Sequence, residues 1–201
     1  MIAILDYDAG NIKSVEKAFK ILGEDTVLTR DFSVIEKADR VVLPGVGSFA
    51  DAMDHLKRYE LDRAIKDYVT SGRPFIGICL GLQLLFESSE ESVGVKGLNI
   101  LDGVVKRIPE SSGLKVPHIG WNSLAFPSEG RLFKDIDEGA FVYFVHSYYL
   151  EAKDPSIVKA TTDYGCNIHA SVENDNIFAC QFHPEKSSTV GLKILKNFAE
   201  L

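Results

Sequence analysis

Only three cysteines occur in the 201 residues, Cys79, Cys166 and Cys180, and they lie far apart. An odd, scattered set makes no disulfide framework and reads as free thiols in a reducing cytoplasm. The N-terminus, Met1-Ile2-Ala3-Ile4-Leu5-Asp6, runs straight into a strand and lacks the basic stretch, long apolar core and cleavage site of a signal peptide. No CxxC, HxxxH or HExxH spacing occurs, so neither a metal site nor a cofactor is expected. No apolar run approaches the roughly 20 residues needed to span a bilayer, which excludes a membrane role. Positive charge is scarce too. The 22 Lys and Arg against 29 Asp and Glu leave a formal charge of -7, and Lys106-Arg107 and Lys115 are scattered, which excludes nucleic acid as a partner. There is no linker, low-complexity tract or internal repeat. With 45% apolar and 25% charged residues, the chain has the composition of one globular domain with a substantial core.

What is present alternates. Ile2–Leu5 reads as a short buried strand. From Asn11 the apolar residues Ile12, Val15, Phe19 and Leu22 recur at helical spacing, and Gly23 stands where a glycine stops a helix. Val27-Leu28 begins a second strand, and Arg40–Leu43 a third that ends at Pro44-Gly45-Val46-Gly47. Ser48 is placed to cap the next helix, with Asp51 in its first turn. Leu61, Ala64, Ile65, Tyr68 and Val69 form another amphipathic face, stopped at Gly72 before the strand Phe75–Ile78. The second half reads as strands at Leu98–Ile108, Val116–Ile119, Phe141–Leu150, Ile157–Thr161, Ile168–Val172 and Ile177–Phe182, then a helix over Thr189–Leu201. The expected architecture is α/β, a mixed, mainly parallel central sheet flanked by helices, with a strand-rich second half.

The chemistry gathers at Gly77-Ile78-Cys79-Leu80-Gly81. The cysteine follows an apolar strand and opens an apolar helical run, Leu80 to Phe86, the setting of a nucleophile elbow with sulfur in place of a serine oxygen. At a helix N-terminus the orphan N–H groups and the dipole favour a thiolate. The N–H of Leu80 is then one oxyanion donor, and Val46 and Gly47, in a tight turn after a neighbouring strand, are candidates for the second. The Gly45-Val46-Gly47 turn by itself reads equally as an ordinary strand-to-helix loop. Cys180, inside an apolar strand, and Cys166, in a turn, read as packing residues.

A thiol nucleophile needs a base, and Gln181-Phe182-His183-Pro184-Glu185 supplies one. In an extended segment His183 and Glu185 point to the same side, and Pro184 ends the strand there. The carboxylate then holds the imidazole tautomer and stabilises the imidazolium. His118 and His146 read as structural or supporting polar groups, and His55 and His169 as surface residues.

Together these segments resemble the class I (triad) glutamine amidotransferases. Asp6-Tyr7-Asp8-Ala9-Gly10-Asn11, Leu43–Phe49, Cys79–Phe86, Val116-Pro-His-Ile-Gly-Trp-Asn122, Tyr143–Tyr148 and His183-Pro-Glu-Lys-Ser187 narrow the likeness to the glutaminase-subunit family of imidazole glycerol phosphate synthase, over residues 6 to 187. Asp8 departs from that pattern, which has glycine before Ala-Gly-Asn. The resemblance implies one amidotransferase domain over residues 1–201. Cys79, His183 and Glu185 would hydrolyse glutamine through a thioester, and the ammonia would pass to a (β/α)8 cyclase subunit in a heterodimer of histidine biosynthesis. It implies that Gln83, Glu91, His146 and Ser147 hold glutamine, and that Asn11, Trp121 and Lys186 meet the partner. Glu91 reads equally as part of a solvated acidic loop, and Trp121 as core. The alternatives are a glutaminase for another synthase, a stand-alone γ-glutamyl hydrolase, and a non-catalytic binding subunit.

Overall fold

The computed structural model describes residues 1–8, 12–110 and 114–201. The first half winds as β1 (Ile2–Leu5), α1 (Ile12–Ile21), β2 (Thr26–Thr29), α2 (Phe32–Lys37), β3 (Arg40–Gly45), α3 (Phe49–Arg58), α4 (Leu61–Thr70), β4 (Phe75–Cys79) and α5 (Leu80–Leu84). The second half contributes β5 (Ser88–Ser89), β6 (Gly103–Arg107), β7 (His118–Ser123), β8 (Phe141–His146), β9 (Tyr148–Ala152), β10 (Val158–Asp163), β11 (Asn167–Asn174), β12 (Ile177–Cys180) and α6 (Ser188–Ala199). A seven-stranded sheet runs β10-β11-β12-β4-β3-β1-β2, parallel from β12 to β2 and antiparallel across β10, β11 and β12.

Both faces of this sheet are covered, which is why its central strands are apolar throughout. Alternation along β1 sends Ala3 and Leu5 into one layer, under α2, α3, α4 and α5, and Ile2 and Ile4 into the other, under α1 and α6. The helix ends follow their caps. Ser48 Oγ accepts from the Asp51 N–H at 3.2 Å, and Asp31 caps α2 by accepting from Ser33 N–H at 2.7 Å. At the far end of α1 the Gly23 N–H reaches Lys20 O and the Glu24 N–H reaches Phe19 O, a Schellman closure. Helix α2 is absent from the sequence reading because six residues are too few to show a helical period.

Two stretches expected as strands behave otherwise. Leu98–Leu101 is no strand. Its N–H groups donate to Leu84, Leu85 and Phe86 carbonyls, the orphan acceptors at the end of α5, while Leu98 and Leu101 are buried in the core. The run Phe141–Leu150 is two strands in two sheets. β8 pairs with β7, β9 pairs with β6, and the chain changes sheets at Ser147, whose carbonyl accepts from Ile108 N–H. Apolar residues on both sides of Ser147 hide this break from any periodicity count.

Candidate active site

The C-terminal ends of three adjacent strands form the site. In register, Gly45 of β3 stands beside Cys79 of β4, and Cys180 of β12 beside Ile78. The turn of Val46 and Gly47 therefore lies on one side of the cysteine, and the segment leading to His183 on the other. Open α/β sheets bind ligands at these strand ends.

Cys79 has φ 56° and ψ -109°, a conformation that an L-residue holds only when its surroundings enforce it. The elbow places α5 hard against the sheet. A Cβ on Gly77 would sit 2.6 Å from Gly81 O, and one on Gly81 would stand 3.0 Å from the Leu43 carbonyl carbon and closer still to its oxygen. Both positions need glycine because backbone meets backbone. Tyr7 steadies the neighbouring strand end: its buried hydroxyl donates to Pro44 O at 2.7 Å, and burial pushes its ionisation far up, so it stays a donor. Gly47, at φ 100°, makes the turn that follows.

His183 Nδ1 and Glu185 Oε1 are 2.8 Å apart, with side chains 2% and 1% exposed. His183 Nε2 is buried without a hydrogen bond of ordinary geometry. Burial pulls the imidazole down, but the Cys79 sulfur and the Glu185 carboxylate outweigh it and hold its pKa at about 9. The histidine backbone is pinned as well. Its N–H donates to Tyr143 O, and Ser187 Oγ donates to His183 O at 2.6 Å while accepting from the Tyr143 N–H. Ser187 and Tyr7 have supporting roles that no local sequence signal marks.

Cys79, Leu80, Val46, Gly47, Gln83, Glu91, His146, Ser147, His183 and Lys186 all line one cavity of about 470 Å³, with Pro117, Val145 and Tyr148. The sequence candidates for nucleophile, base, oxyanion donors and glutamine contacts thus converge, although they come from separate stretches of chain. Glu91 is no freely solvated acid: its Oε2 accepts from Phe49 N–H at 2.7 Å at the start of α3. Gln83 spends both amide hydrogens internally, on Tyr148 O and Gln181 Oε1, leaving its oxygen as acceptor. A larger concavity of about 800 Å³ around Phe126, Arg131 and Lys134 holds no cysteine or histidine, and its arginine is paired with Glu173. Among the described residues no group of three or more His, Cys, Asp or Glu could hold a metal ion.

Trp121 is 52% exposed on β7, so it is not core, and Ile119 and Phe141 are exposed beside it on the β7–β8 hairpin. Lys186 is exposed at the cavity rim. Asn11 lies outside the described residues. Asp8 has φ 65°, a left-handed backbone that glycine reaches at no cost and that Asp tolerates. Its carboxylate is held by the Tyr59 hydroxyl and by Arg30, which together keep it below the usual carboxylate range. His169, expected on the surface, is half-buried and accepts from the Ala152 N–H at 3.1 Å, tying β9 to β11.

Two buried histidines, His118 and His146, set an acid limit. Burial lowers His118 from 6.5 to about 4 and His146 from 6.5 to about 3, so both are neutral in the fold. Below pH 6.5 these two rings bind protons in the unfolded chain that the folded chain refuses, so their contribution to stability is full above 6.5 and falls as the pH drops toward 4. Each histidine is expected to remove about 2 kcal/mol by pH 5. Urea unfolding at pH 7, 6 and 5 measures this. A midpoint that does not move over that range contradicts the neutral pair.

The family described as Glutamine amidotransferase class-I matches residues 3–201. The chain is 50% identical over 206 residues to the imidazole glycerol phosphate synthase subunit HisH of Syntrophotalea carbinolica, covering 100% of both chains. It is 49% identical over 196 residues to the protein of the same name from Aquifex aeolicus, covering 97% of this chain and 94% of that one. A solved structure titled as a glutamine amidotransferase shares the fold at TM-score 0.77 and 18% identity, over 99% of this chain and 97% of the other. PurLQS from Thermotoga maritima does so at TM-score 0.72 and 19% identity, with coverage of 99% and 97%. Matched from its third residue to its last, and half identical to relatives that it spans end to end, the chain belongs to the class I glutamine amidotransferases.

Proposed function

We propose that this chain, acting as one domain over residues 1–201, is the glutaminase subunit of an imidazole glycerol phosphate synthase. The observation that carries the reading is a buried Cys79–His183–Glu185 group in a chain half identical, end to end, to proteins named as that subunit. Cys79 attacks the side-chain amide carbon of glutamine. His183 Nε2 faces the sulfur, and as an imidazolium it favours the thiolate and then protonates the departing ammonia. Glu185 fixes the tautomer through Nδ1 and stabilises the positive ring. Water hydrolyses the thioester to glutamate. The Leu80 N–H and a donor from the Val46–Gly47 turn stabilise the oxyanion.

The end of glutamine remote from the reacting amide is held between Gln83 and Glu91. Gln83, with only its oxygen free, accepts from the α-ammonium rather than binding the carboxylate. His146 and Ser147 wall the same cavity. The partner is a (β/α)8 cyclase that forms a heterodimer and uses the ammonia. It docks against Lys186 of the cavity lining and the exposed apolar set Ile119, Trp121 and Phe141 on the β7–β8 hairpin. Free cysteines at positions 79, 166 and 180 accord with a cytoplasmic setting. No helix among the described residues is long and apolar enough to cross a membrane.

The test is glutamine hydrolysis by the chain alone, then with a histidine-pathway cyclase and its nucleotide ligand. Activity is expected to be low alone and to rise at least about a hundredfold in the liganded complex, a coupling near 3 kcal/mol. Full activity without a partner favours the stand-alone γ-glutamyl hydrolase instead.

A further inference from the structure

A line of neutral polar groups leads from β7 to the cysteine sulfur, and one backbone carbonyl fixes its direction. Tyr148 O can only accept. It receives the His146 Nδ1–H at 2.9 Å and the Gln83 Nε2–H at 3.0 Å. From that carbonyl the consequences run both ways.

Toward the cavity, Gln83 must turn its NH₂ end to Tyr148 O, so its second hydrogen meets Gln181 Oε1 at 3.1 Å. With that oxygen committed, the NH₂ of Gln181 faces Cys79 Sγ at 3.8 Å. An amide donor, not an acceptor, therefore meets the sulfur. Toward β7, His146 has its hydrogen on Nδ1, so its Nε2 accepts from His118 Nδ1–H at 3.1 Å. His118 Nε2 is then an acceptor and takes the Asn122 amide at 3.4 Å. A proton on either imidazole would set donor against donor, and burial holds both rings neutral. Phe144 and Tyr164 stack on the His118 ring, at centroid distances of 4.7 and 3.9 Å, which fixes its plane.

We propose that Gln181 is a positioning residue that donates to the Cys79 sulfur, with its amide polarity locked through Gln83 and Tyr148 O. The inference rests on Cys79 being the nucleophile. Gln181 is 0% exposed and does not line the cavity, so it acts on sulfur rather than on glutamine. A donor aimed at sulfur favours the thiolate and fixes where it points.

The test combines iodoacetamide alkylation of Cys79 across pH with steady-state glutaminase kinetics in the cyclase complex. In Gln181→Leu the donor is lost at nearly constant volume. In Gln181→Glu an oxygen replaces the nitrogen that meets sulfur. Both are expected to move the alkylation midpoint up by about one pH unit and to lower kcat about tenfold or more with little change in KM. A purely structural role predicts lower thermal stability with an unmoved alkylation midpoint. That result, or kinetics unchanged in both Gln181 variants, overturns the proposal. If the parent chain is itself not alkylated at Cys79, the nucleophile reading fails first.

Discussion

Replacing Cys79 by alanine is expected to abolish glutamine hydrolysis while the complex still makes its product from added ammonium salts. The loss is on the order of 10⁴- to 10⁶-fold, the range seen when a nucleophile acting with its base is removed. Neither of the other two cysteines lines the cavity. Cys180 is fully buried in β12 and burial pushes its thiol well up; Cys166 is half-buried near Tyr149 and is pushed up by burial as well. A glutamine-analogue alkylator should therefore label Cys79 and spare the other two, read by peptide mass mapping. Loss of the ammonia-dependent reaction along with hydrolysis makes the cysteine structural. Label on Cys166 or Cys180 contradicts the elbow directly.

Gly81→Ala is expected to damage the protein nearly as much, against the usual helix rule. Alanine inside a helix is worth about 1 kcal/mol over glycine, so propensity alone predicts a gain. Sterics decide otherwise. The new Cβ would press on the Leu43 carbonyl of β3, and neither backbone can yield without moving α5 off the sheet. Overpacking of this kind costs about 1–3 kcal/mol or more, and here the obstacle is backbone rather than a flexible side chain. The displaced element carries the Leu80 N–H and the turn that aims Cys79, and a shift near 1 Å costs about a hundredfold in rate. The expected result is a lower melting temperature together with at least that loss of kcat. Gly77→Ala presses on Gly81 O from the other side and should behave alike. A Gly81→Ala protein that melts and turns over like the parent removes the close-approach argument.

The elbow and the His-x-Glu pair were legible because each is a local pattern with local consequences. A glycine on either side of Cys79 signals strand meeting helix, and two residues of extended chain put His183 and Glu185 on one side. The parallel sheet was legible for the same reason, since β1, β3 and β4 alternate with amphipathic helices. Asp8 was legible only as a departure from pattern; its φ of 65° and the clamp of Arg30 and Tyr59 give the reason. The exposed face around Trp121 was half legible, because a lone tryptophan in an alternating strand fits core or surface equally well.

Composition and spacing by themselves pointed to an α/β chain with a candidate thiol nucleophile, a candidate base and a carboxylate beside it. They could not determine what stands beside what. That Gln181 meets the sulfur follows from β12 lying against β4, more than a hundred residues away along the chain. That Gln83 is tied to Tyr148 O, and His146 to His118, follows from the chain changing sheets at Ser147. Hydrogen-bond direction is a property of several elements in contact, and a polar side chain carries no mark of its partner until the fold supplies one. The sequence held the candidate reacting groups; only tertiary structure decided which hydrogen-bond partners orient them.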